Sequence, residues 1–557
     1  MKKFIALLLL VPAFWLTAEA QVSDYLQRMQ VHGSFQVDGQ FYFPDAALGI
    51  TDSLISADIP EKVGLNGFGN ISFSLGKFSA GFRYEAMLAP IAGYDPNLYG
   101  SGIPYAWATF TDDKFSITVG SFYEQFGNGL VLRSYEEWSL GYDNSLNGIR
   151  IIYEPIRGML FKGVYGTQRY FSLGRTGLVR GFDTELNFND LFSGMADSKL
   201  KLILGGSMVS KYQDDGNVLY QLPENVASFA ARANIGFGKF NFTTEYAHKI
   251  NDPSAINNYI YKEGAAFIAS LSYATKGLGL YAQFKRTDNF SFKSDRDVTV
   301  NALDISYLPP INESHTYALA AMYPYATQPN GEIGFQFQMN YKVPKKSKLG
   351  GKYGMGIAIN YSQINDIERT QVNDTTQIDQ KWTLGYESDF FKFSDHVFYR
   401  DLSIEIDKKF NRKWKGIFNY LYQSYDIATI EGHPGEPIVN SHIAIADVTY
   451  KFTTRKSLRT ELQGLWTKED MGNWTAILVE YTISPHWFFS ATDQWNYGNP
   501  DINKRIHYLS ASFGYTHKAT RLQFTYGRTR EGIVCVGGVC RQVPASSGLS
   551  LSITTNF

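Results

Sequence analysis

In this chain of 557 residues a set of groups suited to ionic chemistry lies within the apolar-rich stretch between 123 and 146. The run from Tyr123 to Asn147, YEQFGNGLVLRSYEEWSLGYDNSLN, sets Arg133, Glu136, Glu137 and Asp143 among aromatic and aliphatic side chains. A guanidinium and carboxylates so close in sequence can make charge-assisted hydrogen bonds, the strong class of side-chain contact. The stretch is too apolar for an ordinary solvated loop, and Gly127 and Gly129 allow close backbone approach. It is expected to fold back as a constriction that sets solute size and charge, as charged rings do in pores. The competing reading is a surface loop with a few salt bridges.

Cys535 and Cys540, the only cysteines, flank Val536-Gly537-Gly538-Val539. With a two-residue turn at Gly537-Gly538 they fall opposite one another at a position where Cβ atoms are close, so a disulfide bracing a loop is expected. A metal-binding or redox thiol pair competes with it, but no His or third Cys stands nearby and C-x-x-C spacing is absent.

Enzyme signatures fail on context. Gly277-Leu278-Gly279 with Ala282 fits a relaxed dinucleotide fingerprint but leads into a strand, so no helix N-terminus holds a pyrophosphate. The nine His residues are scattered, with no H-E-x-x-H and no G-x-S-x-G elbow. The reading assigns no catalytic residue, metal or cofactor.

The elements that position these groups are strands. Gly33, Phe35, Val37, Gly39, Phe41 and Phe43 alternate with His32, Ser34, Gln36, Asp38 and Gln40. Ile333, Phe335, Phe337, Met339 and Tyr341 do the same, as do Leu402, Ile404 and Ile406 against Asp401, Ser403, Glu405 and Asp407. One face of each suits hydrocarbon; acids on the other belong in a lumen or at an interface. Short turns at 76–77, 112–114, 238–239, 275–277, 453–456 and 517–519 alternate with longer stretches at 44–66, 89–103, 123–146, 211–224, 363–397 and 531–547. The stretch Tyr323–Glu332 is expected to join two strands, with Tyr323 and Tyr325 as girdle aromatics. The whole reads as an all-β, antiparallel, up-and-down transmembrane barrel of about 26 strands, range about 22 to 28, with short periplasmic turns and long extracellular loops.

Composition agrees. Aromatic residues make up 15%, with 40 Phe and 37 Tyr, while the net charge of -1 argues against nucleic acid as a partner. No apolar run approaches the ~20 residues a spanning helix needs. Lys2 and Lys3, the apolar run Phe4 to Leu16 and Ala18-Glu19-Ala20 read as a cleaved signal peptide over 1–20. A short periplasmic segment (21–30) and one barrel domain (31–557) are expected to follow, with neither a plug domain nor a peptidoglycan-binding tail. At the other end Leu549, Leu551, Ile553, Thr555 and Phe557 alternate with polar residues, the form of strand that barrel-assembly machinery reads in outer-membrane proteins.

At FYEQFGNGLVLRSYEE (122–137), YPYATQPNGE (323–332), KLGGKYG (348–354) and CVGGVCR (535–541) the sequence resembles a domain-of-unknown-function family of large outer-membrane barrels found in Bacteroidota-type bacteria. The resemblance implies fold and location and carries no activity. Residence in a Gram-negative outer membrane, in contact with its lipid, is therefore expected. The expected function is a pore or transporter for small solutes with a loop-gated or loop-constricted lumen, since barrels above about 16 strands conduct water or are plugged. The alternative is a structural or accessory subunit of a secretion or assembly complex. Envelope protein partners would then meet its loops, above all 363–397, taken as the longest, with Trp382, Tyr386, Phe390, Phe391 and Phe393.

Overall fold

The computed structural model describes residues 29–51, 61–536 and 539–557; the signal-peptide reading lies outside them. Twenty-four antiparallel strands form one closed sheet, inside the expected range and two below the expected 26. Each pairs with its sequence neighbours. Closure comes where the first strand, Gln30–Tyr42, pairs with the last, Ser546–Asn556, from Ser34 opposite Asn556 to Tyr42 opposite Gly548. Phe557 extends this seam: its N–H donates to Gly33 O at 2.9 Å and its carbonyl accepts from Gly33 N at 3.0 Å. Its ring lies where a Cβ on residue 33 would stand, so any larger residue there must displace that ring.

Period-two side-chain alternation sorts every strand into an outer and an inner face. Phe41, Leu549 and Tyr526 share one register row and point outward; Gln40, Ser550 and Thr525 share the next and point inward. Outward aromatic pairs line the end that carries the short turns: Phe78–Phe110, Phe240–Tyr273, Trp414–Tyr450 and Trp487–Tyr515, with ring centroids 4.5 to 5.0 Å apart. Trp466, Trp495 and Tyr526 are exposed toward the opposite end. Two aromatic belts around an apolar band are the outer surface of a membrane barrel.

The largest departure from the sequence reading is residues 289–330, between Leu278–Asp288 and Gly331–Val343. This connection, and not 363–397, is the longest, and it contains no strand beyond a Lys293–Asp304 bridge. Tyr323–Glu332 therefore joins no two strands. Tyr323 and Tyr325 are not girdle aromatics: both are buried, packed on Tyr425 and Tyr399 of the inner wall. Apolar side chains of a loop gain as much by burial inside a barrel as a strand gains against lipid, about 1.5–3 kcal/mol for each large one. Local composition does not separate the two.

Candidate functional site: a lumen filled from one side

Two inward loops occupy the lumen. In the first, between Phe115–Phe122 and Leu146–Ile156, Phe126, Leu130, Val131 and Leu132 are buried against Val164, Val179, Val209 and Val226 of the wall. Gly127, at φ +53°, brings the turn onto Glu245, whose carboxylate accepts from Asn128 N at 2.7 Å and Asn128 Nδ2 at 2.9 Å. The second loop, 289–330, packs Phe290, Phe292 and Ile305 into the same cluster. Backbone bonds join the two: Arg133 N donates to Ile305 O and Tyr307 N to Gly129 O, both at 2.9 Å. Farther along, Ile311, Leu319, Met322 and Tyr325 pack on Leu421, Ile443, Leu465 and Trp474.

A buried ion cluster fastens the first loop to the wall. Arg83 Nε meets Glu85 Oε1 at 2.7 Å and Arg169 Nη2 meets Glu85 Oε2 at 2.6 Å. Arg169 Nη1 also meets Asp143 Oδ2 at 2.6 Å, while Arg83 pairs with both Glu136 and Asp143. Tyr123 OH donates to Glu136 at 2.9 Å. Burial alone would raise the Asp143 carboxyl, but the charges of Arg169 and Arg83 and the Ser145 N–H outweigh it and hold it below the usual carboxylate range.

Of the four residues singled out by sequence, Glu136 and Asp143 thus join one cluster. Arg133 and Glu137 do not. Arg133 lies over the rings of Tyr307 and Tyr135, 3.9 and 4.5 Å from their centroids. Glu137 caps a helical turn, accepting from Ser139 N and Oγ. Sequence reasoning missed Arg83, Glu85 and Arg169; the signal available was charge at alternate positions of an otherwise apolar strand. Similar buried pairs recur around the covered wall: Glu124 with Arg150 and Lys162, Asp183 with Arg232, Asp252 with Lys211, and Glu332 with Lys285.

The rest of the wall differs in kind. Across Trp487–Trp495, His507–His517, Thr520–Thr529, Ser546–Asn556 and Gln30–Tyr42 the inner face presents Ser490, Thr492, Ser510, Ser512, Thr525 and Ser552, all half-buried. Its charges are Asp38, bonded by Gln36 Nε2 at 2.7 Å, and Arg521, over the Phe488 ring near the turn end. Two cavities open at the loop end, the second of which meets this arc. One of about 710 Å³ is lined by Arg83, Asp143, Arg169, Trp138, Tyr94 and Arg541. The other, about 550 Å³, lies between Glu313, His315 and Tyr325 of the second loop and Gln494 and Ser510 of the arc.

The cysteine hairpin, Gly532–Val536 paired with Val539–Val543, stands between them. Cys535 and Cys540 are register partners with Cα atoms 4.0 Å apart and form the disulfide. Asn301 Nδ2 donates to Cys540 O at 2.5 Å, and the Arg541 guanidinium lies 4.2 Å from the Tyr94 ring centre. The hairpin is therefore held against the second inward loop and the 88–99 loop, across the barrel mouth.

Sequence spacing offered no metal set, yet the fold brings Glu313, His315 and Asp401 together, their ligand atoms all within 4.8 Å of one another. Glu313-Ser314-His315 was the local hint; its third member is distant in sequence.

With this geometry in view, comparison with known proteins is informative about lineage. Residues 1–557 match the family described as "Family of unknown function (DUF6029)". The chain belongs to that family. No curated protein matches it. Among solved structures, this DUF6029 chain is similar to the siderophore receptor PirA from Pseudomonas aeruginosa, at 9% identity over 95% of this chain and 80% of that one, TM-score 0.41. It is also similar to the copper transporter OprC, at 9% identity, 95% and 81% coverage and TM-score 0.39. A substituted Rh. blastica porin matches at 11% identity, 64% and 100% coverage and TM-score 0.25. Scores this low add nothing about what the DUF6029 chain handles.

Proposed function

We propose that the protein is a pore or transporter for small polar solutes in a Gram-negative outer membrane. In this reading its lumen is constricted by the loops at 123–146 and 289–330, and solute passes along the neutral arc. The observation that carries this is the difference in burial around one wall: charged inner residues lie under the loops, whereas the hydroxyl-lined arc stays half-exposed and meets the cavity of about 550 Å³ at the mouth. A surface of small neutral polar groups competes weakly with water for a solute and so permits passage, where charged rings would select. Leu549, Leu551, Ile553, Thr555 and Phe557 form the closing strand and serve as the signal for barrel-assembly machinery. No catalytic role is assigned.

Planar-bilayer recording tests the reading. Wild-type protein is expected to give discrete single-channel steps, and replacing residues 123–146 by a short turn should enlarge them. Absence of conductance from both proteins rejects the pore.

One observation favours the accessory reading. At the end of the 368–392 loop Phe390 packs on Tyr246 and Phe267 of the outer wall and Phe391 is 73% exposed, while Tyr386 is buried. Crosslinking in native membranes would recover a stoichiometric partner dependent on Phe391; its absence rejects that role.

A further inference from the structure

Buried carboxylates in this lumen generally carry a basic partner, as Glu85, Asp143, Asp183, Asp252 and Glu332 do. Asp401 and the half-buried Glu313 depart from that rule, as does Glu245, which Asn128 holds by two hydrogen bonds. Asp401, with no exposed surface, meets His315 Nε2 at 2.8 Å, and among the described residues no Lys or Arg pairs with Asp401 or Glu313. Two carboxylates therefore face one imidazole in a half-enclosed, low-dielectric place, which leaves negative charge uncompensated.

We infer that Glu313, His315 and Asp401 form a binding site for a divalent transition-metal ion of the zinc type. The donor set is one imidazole nitrogen and two carboxylates, which suits Zn²⁺ or Mn²⁺; Ca²⁺ and Mg²⁺ prefer all-oxygen sets. Metal–ligand bonds of about 2.0–2.2 Å put ligand atoms about 3.3 Å apart in a tetrahedron. Ligand atoms within 4.8 Å of one another reach that spacing by small side-chain movement. Neutral donors already orient the acids: Asn360 Nδ2 to Asp401 Oδ1 and Gln423 Nε2 to Asp401 Oδ2, both at 3.1 Å, and Ser403 Oγ to Glu313. Hydrogen bonds of this kind fix ligating carboxylates without contributing charge. Glu313 and His315 line the cavity of about 550 Å³, which supplies an approach for the ion and room for a water ligand. Because Glu313 and His315 belong to the second inward loop and Asp401 to the wall strand Phe393–Lys409, the ion staples the loop in place.

The test uses purified full-length protein in detergent, titrated calorimetrically with Zn²⁺, with Ca²⁺ as the comparison and Co²⁺ absorption as a report on ligand type. One saturable Zn²⁺ site per chain is expected, weakened at least about tenfold by His315→Ala and by Glu313→Gln, and unaffected by His396→Ala, whose partner is Asp426. Asp401→Asn should behave like the loop variants. If burial prevents that variant from folding, the two loop variants decide. Absence of saturable binding in the wild type, or equal binding by His315→Ala, means that His315 and Asp401 are a hydrogen-bonded pair only and overturns the site. The result is independent of whether the lumen conducts.

Discussion

The inner wall from Phe115–Phe122 to Lys456–Trp466 and the arc from Trp487–Trp495 round to Gln30–Tyr42 are built on the same alternating pattern but have opposite fates. On the first, Glu245, Lys249, Lys285, Glu332 and Asp401 are fully or almost fully buried; on the second, Ser490, Ser512 and Ser552 are half-exposed. Charge is covered and neutral polarity is wet, the reverse of a soluble protein's surface. The difference follows from task. A loop held inside a barrel must replace the water it displaces with directional, paired contacts, because an unpaired buried charge is costly. An open passage needs side chains that hydrogen-bond without holding on.

Arg83→Ala should break the comparison hardest. It leaves Glu85 and Asp143 sharing Arg169 and Glu136 with the Tyr123 hydroxyl alone, and breaking a buried pair costs about 3–5 kcal/mol, enough to release the 123–145 loop. Protease nicking within 123–145 and larger channel steps, with the barrel intact by heat-modifiable gel migration, would report it. Tyr325→Phe removes the hydrogen bond to Glu332 beneath the second loop and should cost about 1.5–3 kcal/mol, read as lower thermal stability.

Acid should act on docking of the first loop through its ion cluster. Asp143 titrates below its free value near 3.9, so its contribution to loop docking is complete above about pH 4 and is lost as pH falls through the depressed folded value. Conductance is expected to rise below pH 4 in the wild type and to be raised already at pH 7 in Asp143→Asn. The smallest effect belongs to the arc: Ser512→Ala should change stability by no more than about 0.5 kcal/mol. A larger loss would mean that this face is packed.

Much of the fold was legible because a strand's periodicity is local. Leu549 to Phe557 and Gly33 to Phe43 announce their faces residue by residue, and Cys535 with Cys540 announces a hairpin. The site was less legible because its members meet only after closure. Arg83 lies 53 and 60 residues from Glu136 and Asp143, and His315 lies 86 from Asp401. The inward course of 289–330 was hidden for a different reason: Ile311, Leu319 and Tyr325 are apolar for burial within the lumen, and an apolar loop looks like strand until the wall that receives it is known.

Single cysteines placed on the two faces test the division most directly. Ser512→Cys and Ser552→Cys on the arc, and Ser228→Cys and Ser441→Cys on the covered wall, would each be exposed to a membrane-impermeant thiol reagent during single-channel recording. The account predicts that the arc cysteines react and the current falls, while the covered cysteines stay unmodified and the current is unchanged. Rapid modification of Ser228→Cys or Ser441→Cys, or an unchanged current after Ser512→Cys is fully labelled, would contradict it.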